Sequence, residues 1–290
     1  RNFMRIVFAN YSGGISFRGS QTVFDEAATL PVQSILASIV HPNELNFALD
    51  YARRIPKKVD LWIDSGAFTV WQQGGAISPK WYARQLKKCL PYLKPFRRVF
   101  AVSLDVIPGI KGRPVTKKNI DDAVKQSVDN AEFLLNQELE VIPVHHQGDP
   151  LEVFPHYLSI AKYVGISPAN DMGFPARRDY VKSLLPFIED LKNPPPCHSF
   201  GNVSEKVLCA FPFYSADAAS WKQTIYYGND WKIGEAKSYT RQNEYSKVRA
   251  RIRGQNTYLF MEGIKKFLVF EKQMTKLWQM RGVKNREPEG

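Results

Sequence analysis

The amino-acid sequence predicts an α/β fold: a (β/α)8 TIM barrel followed by a basic, mainly helical C-terminal extension. Three observations lead there. Eight short runs rich in Val, Ile, Phe and Tyr recur along the chain. Most are apolar nearly throughout, as strands buried on both faces of a parallel sheet are. Helical stretches or loops separate them, the alternation that builds a parallel sheet. The chain has 290 residues, enough for a barrel that commonly uses about 250. An open doubly wound sheet is the alternative that the same alternation allows.

The expected strands, in order, are Arg5–Ala9, Ser34–Val40, Asp60–Asp64, Arg98–Asp105, Glu140–His145, Tyr163–Ser167, Cys197–Phe200 and Pro212–Asp217. A helix is expected over Pro79–Leu90, because Ser78 is a good N-cap and Pro79 suits a first turn. Ile120–Asn136 carries an apolar face at helical spacing. Asp179–Leu191 is helical up to Pro194-Pro195-Pro196, where missing N–H groups end any helix. The barrel is assigned to residues 1–221 and the extension to residues 222–290. Within the extension, Asn243–Met280 reads as one or two amphipathic helices, and the last residues as a frayed tail.

Composition narrows the function. Hydrophobic residues make up 44% and charged residues 23%, a globular balance. No apolar run approaches the roughly 18 residues of a membrane helix. The stretch after Arg1-Asn2-Phe3-Met4 is too short for a secretory leader. Three cysteines, Cys89, Cys197 and Cys209, form no CxxC or CxC. Reduced thiols in cytoplasm are expected, with neither a disulfide framework nor a cysteine zinc site. The net charge is +12. Residues 222–290 hold 15 basic and 7 acidic residues, so the excess concentrates at the C-terminus and suits a polyanionic partner. No phosphate-loop motif occurs.

In a barrel of this kind the chemistry sits where the strands end. The third run ends in Asp64-Ser65-Gly66-Ala67-Phe68, the fourth in Asp105, and the fifth leads into His146-Gln147-Gly148. The sixth contains Gly165, the seventh His198 and Phe200, and the eighth Asp217. One carboxylate ending an apolar strand is as readily a helix cap as a catalyst. Three in the same relative place favour a site. His145 and His146 beside Asp64 or Asp105 make a poor metal site, since neighbouring strand residues point to opposite faces.

Asp64-Ser65-Gly66-Ala67-Phe68 resembles the Asp-Ser-Gly-Gly-aromatic motif of the tRNA-guanine transglycosylases. Asp105, Gln147-Gly148, Gly165, Phe200-Gly201 and Asp217 follow in that family's order. The resemblance covers about residues 5–221 and is closest to the phage-type DpdA branch, which places 7-deazaguanines in DNA. It implies exchange of guanine in double-stranded DNA for a 7-deazaguanine, with 7-cyano-7-deazaguanine (preQ0) as co-substrate and no cofactor. It also implies protection of phage DNA from restriction, in the host cytoplasm. Asp217 would be the nucleophile at C1′ and Asp64 the general acid/base. Asp105, Gln147 and the Gly165 amide would read the base, beside Gly148, Ser65 and His198. Phe68 and Phe200 would sandwich the ring. Two departures stand out. The zinc-binding cysteines of the tRNA enzymes are missing, which argues against a zinc subdomain and weakens the tRNA reading. Ala67 replaces the second glycine, tolerable unless φ there is positive.

The residue chemistry agrees with these roles. A guanine edge offers N–H donors that an ionised Asp105 accepts, and O6 needs a donor such as the Gln147 amide. Base exchange without hydrolysis needs a covalent sugar–enzyme intermediate, for which a carboxylate is a suitable nucleophile. The backbone of DNA is expected against Arg18, Lys111, Arg113, Lys117, Lys118, Arg177, Arg178 and Lys222, the cations of the rim loops. Trp71 and Trp221 flank the expected pocket, where packing is the plainer role for each. The alternatives are a zinc-less tRNA enzyme, a glycoside hydrolase using Asp64 and Asp217, and a non-catalytic DNA-binding barrel.

Overall fold

A computed structural model describes residues 4–9, 32–110, 112–169, 171–222, 233, 255–283 and 287–288. The strands are β1 (Arg5–Ala9), β2 (Ser34–Ser38), β3 (Asp60–Asp64), β4 (Arg98–Val102), β5 (Val141–Ile142), β6 (Val144–His146), β7 (Val164–Ser167), β8 (Cys197–Ser199) and β9 (Ser215–Ala218). All pairings are parallel, in the order β5-β4-β3-β2-β1-β9-β8-β7-β6. β5 and β6 flank Pro143. One half pairs with β4 and the other with β7, so the sheet wraps into a TIM barrel through one broken strand. The sequence places a single strand there. Pro143 has no N–H to give a ladder, and the pairing changes sides at it.

The helices are α1 (Pro42–Arg54), α2 (Ala67–Gln72), α3 (Pro79–Cys89), α4 (Lys117–Asn136), α5 (Val153–Ile160), α6 (Phe174–Ser183), α7 (Leu185–Glu189), α8 (Glu205–Leu208) and α9 (Gln255–Met280). Ser78 caps α3 as expected, its Oγ accepting from the Trp81 N–H at 3.3 Å. α4 starts three residues before the expected Ile120, because Thr116 and Asn119 form a reciprocal capping pair. The helix expected over Asp179–Leu191 starts earlier, at Phe174, and is two helices. Pro175 suits the first turn of α6, and Pro186 disfavours a helical residue before it. Among the described residues no helix is long and apolar enough to cross a membrane.

Alternation within the strands makes two cores. Leu61 and Ile63 of β3 join a large cluster that also holds Leu86, Leu134, Phe154 and Phe267 of the surrounding helices. Trp62 belongs to the other cluster, with Val7, Phe100, Ile142, Tyr163 and Tyr214, which fills the barrel. Burying each such large side chain contributes about 1.5–3 kcal/mol. At the N-terminal end of β3 the fully buried Asp60 is neutralised twice. Arg97 Nε donates to Oδ1 at 2.8 Å, and Arg98 Nη2 donates to Oδ2 at 2.7 Å.

The C-terminal helix belongs to this packing. β1 pairs with β2 only at Phe8 and Ala9, which leaves the earlier N–H groups without a strand partner on that side. Glu271 of α9 accepts from Ile6 N–H at 2.8 Å, and Thr275 accepts from Met4 N–H at 3.2 Å. Trp278 donates from its indole to the Leu208 carbonyl at 2.9 Å. The basic run Lys247–Arg253 lies outside the described residues.

Candidate active site

The C-terminal end of the barrel collects the three carboxylates expected there. Asp64 closes β3, Asp105 lies three residues past β4, and Asp217 lies in β9. Asp64 differs from Asp60 on the same strand, because among the described residues no guanidinium reaches it. Its Oδ2 accepts the Gly66 N–H at 3.0 Å. Burial and then the negative charge of Asp105 push its carboxyl up to about 6. Asp217 adds a smaller push, while the Gly66 N–H pulls the other way. A carboxyl that holds its proton near neutrality, beside others of like charge, is the arrangement of an acid/base pair.

Local backbone explains why the motif takes this shape. Gly66 sits at φ 75°, and a Cβ there would lie 2.3 Å from Val40 Cγ2. Only glycine fits, on both counts. The chain then enters α2 at Ala67. Among the described residues, only Lys57 and Glu138 combine a positive φ with a side chain, so alanine at 67 is tolerated. Ser65 is buried, and its Oγ accepts from Ala67 N–H at 3.4 Å. It shapes the turn. Phe68 stands on the rim, 55% exposed and stacked on Trp71 at 5.9 Å. Trp71 in turn donates to the Gly109 carbonyl at 3.0 Å.

Asp105 has a partner that the sequence reading passed over. His146 Nε2 lies 3.0 Å from its Oδ2. Burial pulls the imidazole down, but the Asp105 contact and the charges of Asp105 and Asp149 outweigh it, and the net direction is up. The two adjacent histidines do diverge. His145 is buried on the other face, with Nδ1 2.7 Å from the Tyr180 hydroxyl and Nε2 3.2 Å from the Pro150 carbonyl. Period-two alternation together with Asp105 as an inward group would have singled out His146.

Asp217 is nearly buried. Its Oδ1 receives the Gly201 N–H at 2.6 Å and stands 3.2 Å from His198 Nε2. His198 is fully buried, and its Nε2 faces Asp217. Phe200 packs edge-on to His198 at 4.2 Å and over Gly165, where a Cβ would meet Phe200 Cε2 at 2.4 Å. Phe200 also rests on the aromatic interior of the barrel.

Two expected base readers are otherwise engaged. The Gly165 N–H donates to the Pro143 carbonyl at 2.8 Å within the sheet. The glycine admits the Phe200 ring and offers no free amide. Gln147 Oε1 accepts from Ala169 N–H at 3.0 Å, and its Nε2 donates to the Ala176 carbonyl at 3.3 Å. It pins the loop after β7 with one contact from each end of the amide, and among the described residues the second N–H of the amide stays available. Gly148 is exposed at φ 114°, with nothing within 4 Å of a Cβ.

Of the rim cations, Arg113, Lys117 and Lys118 are exposed. Arg177 covers the Phe174 ring at 4.7 Å, and Arg178 is paired with Asp179 at 2.9 Å. Arg18, Lys111 and the Lys222 side chain lie outside the described residues. Trp221 is fully buried and donates to the Ala9 carbonyl at 3.0 Å, a core role. Among the described residues no group of three or more His, Cys, Asp or Glu is placed to hold a metal ion. A cavity of about 360 Å³ opens elsewhere, lined by Val99, Leu135, Leu139, Val141, Ile142 and Tyr163 beside the Pro143 break, and it carries none of the three carboxylates.

No family model and no curated protein sequence matches the chain. Solved structures do. A putative fructose-1,6-biphosphate aldolase from Coccidioides immitis aligns with TM-score 0.50 and 10% identity, over 96% of this chain and 93% of that one. A mutant tryptophan synthase α-subunit from Pyrococcus furiosus aligns with TM-score 0.46 and 10% identity, over 92% and 98%. At 10% identity the aldolase likeness speaks to the barrel fold and not to its chemistry.

Proposed function

We propose that this chain is an enzyme that exchanges guanine in double-stranded DNA for a 7-deazaguanine through a covalent Asp217–deoxyribosyl intermediate. The observation that carries the proposal is the unequal set of carboxylates at one barrel mouth. Asp64 is pushed up to about 6 beside Asp105 and Asp217, and Asp217 has one oxygen that accepts the Gly201 N–H and lies against the His198 ring. In this reading Asp217 attacks C1′ as the C1′–N9 bond breaks. The bonding pair leaves with the guanine, which takes the Asp64 proton. The incoming base then gives its N9 proton to Asp64, and its N9 displaces the Asp217 oxygen from C1′.

The Asp105–His146 pair modifies the base-reading role. With His146 3.0 Å from one oxygen, Asp105 presents a carboxyl acceptor to the N1–H and N2–H edge of a guanine. The acceptor O6 then needs a donor other than the Gly165 amide, and the second N–H of Gln147 is one candidate. Phe200, partly buried over the barrel interior, suits the floor beneath a flipped base, and exposed Phe68 suits its outer cover. Lys117 and Lys118 open α4, where cations oppose the helix dipole. A DNA phosphate would offset that cost.

The test uses guanine-containing duplex DNA without an incoming base. A denaturation-resistant protein–DNA adduct that forms with the wild type and fails with Asp217→Asn supports the proposal. Equal adduct in both, or a stable adduct through another residue, overturns it.

A further inference from the structure

We infer that Tyr163, Ser215 and His198 form a directed hydrogen-bond chain that sets the Asp217 carboxylate, holding Oδ1 and leaving Oδ2 free to attack. His198 and Ser215 are then positioning residues of the site. The inference rests on Asp217 being the nucleophile, but the direction of the chain follows from the contacts alone.

The contacts come from two paired strand positions and from Tyr163, the residue before β7. β7 pairs with β8, and His198 of β8 stands opposite Ser215 of β9. The Ser215 hydroxyl lies between the Tyr163 hydroxyl and His198 Nδ1, in short contact with both. On its far side the imidazole reaches Asp217 Oδ1 at 3.2 Å. Tyr163, His198 and Ser215 are all buried.

Ser215 has one hydrogen and two acceptor lone pairs, so three arrangements exist. In the first it accepts from both Tyr163 and Nδ1–H, which strands its own buried hydrogen between two donors and is a costly state. Two remain. In one, Ser215 donates to Tyr163. The Tyr163 hydrogen then has no acceptor among the described residues, and the imidazole must carry two protons to serve both Ser215 and Asp217. In the other, Tyr163 donates to Ser215, Ser215 donates to Nδ1, and Nε2–H donates to Asp217. Every hydrogen is used, and the ring is neutral. Burial keeps the phenol protonated, and a buried donor without an acceptor is the costlier state. The arrangement running from Tyr163 to Asp217 is therefore the one the contacts support.

Its consequence falls on Asp217. Two N–H groups, from His198 and Gly201, converge on Oδ1. Among the described residues no donor reaches Oδ2. The carboxylate is thus fixed against rotation with one oxygen unengaged. Phe200, packed edge-on to the imidazole, holds the same ring from the mouth side.

The experiment is two-bond ¹H–¹⁵N correlation of the histidine rings in the full chain, assigned with His198→Gln, followed by exchange kinetics. The expected result is a neutral His198 protonated at Nε2. In Ser215→Ala that single tautomer is lost, and in Ser215→Thr, which keeps a hydroxyl, it persists. Exchange by Ser215→Ala falls about 10- to 100-fold in kcat with KM unchanged, the rate equivalent of one hydrogen bond to a charged group. Ser215→Thr and His198→Gln, which keeps an N–H toward Asp217, recover most of it. Tyr163→Phe gives a smaller loss of the same kind and serves where Ser215→Ala fails to fold. A ring protonated at Nδ1, or a kcat unchanged in a folded Ser215→Ala, overturns the chain. A wild type without exchange overturns the transglycosylase reading instead, and the tautomer result still decides the direction of the chain.

Discussion

Asp64→Asn is expected to make the protein more stable at neutral pH, although it removes a central residue of the proposed site. Asn keeps an oxygen for the Gly66 N–H, so the change isolates the charge. The wild-type carboxyl titrates at about 6 against an ordinary 3.8, chiefly through burial and then the Asp105 charge. Its folded-state proton affinity is therefore above the unfolded one. The stabilisation that a bound proton gives is fully present below about 3.8 and is lost as pH rises through about 6. Each tenfold change in proton affinity corresponds to about 1.4 kcal/mol, so at pH 7 and above the ionised Asp64 costs at most ~3 kcal/mol. Solvent at the mouth reduces this toward ~1 kcal/mol. The assay is urea unfolding of both proteins, followed by tryptophan fluorescence, at a series of pH values. The gain from Asn should be largest above about pH 7, shrink through pH 6 and vanish near pH 4. A variant less stable than wild type at neutral pH, or a difference independent of pH, would refute the reasoning.

Three further outcomes follow from the packing. Gly66→Ala meets both a left-handed φ of 75° and a Cβ 2.3 Å from Val40; a loss of ~2–4 kcal/mol in urea unfolding is expected, and a loss under 1 kcal/mol would contradict the turn geometry. Gly165→Ala forces a methyl to 2.4 Å from Phe200 and should cost ~1–3 kcal/mol. Most of that should disappear in a Phe200→Ala background, and simple additivity of the two changes would show that the ring and the glycine do not compete. Glu271→Ala leaves the Ile6 N–H without the acceptor it has at 2.8 Å and should cost ~1–3 kcal/mol, with Gln at 271 recovering most of it. Equal losses for Ala and Gln would point to charge as the stabilising feature.

The fold was legible because its strands are buried on both faces and so read as apolar runs. What stayed hidden depended on single prolines and on side chains that meet only in three dimensions. Pro143 lies inside an apolar run, and nothing local shows that it divides one strand between two neighbours. Asp64 and Asp217 stood out as carboxylates ending apolar strands, and their places at the mouth follow from the barrel. Asp60 begins one of the same strands, and only the fold shows that Arg97 and Arg98 neutralise it. The existing hydrogen bonds of Gly165 and Gln147 were not legible, because sequence does not reveal which backbone and amide groups the sheet and loops already use. His146 was passed over because its partner, Asp105, lies on another strand's end.

The central claim is base exchange through Asp217, and nucleoside mass spectrometry addresses it most directly. The full-length protein is incubated with 7-cyano-7-deazaguanine and either duplex DNA or unmodified tRNA, with Asp217→Ala as control. Digested DNA should contain the 7-cyano-7-deazaguanine deoxynucleoside with wild type alone, and guanine should be released in equal amount. Modified nucleoside in tRNA alone, or in DNA with Asp217→Ala at the wild-type rate, would contradict the account.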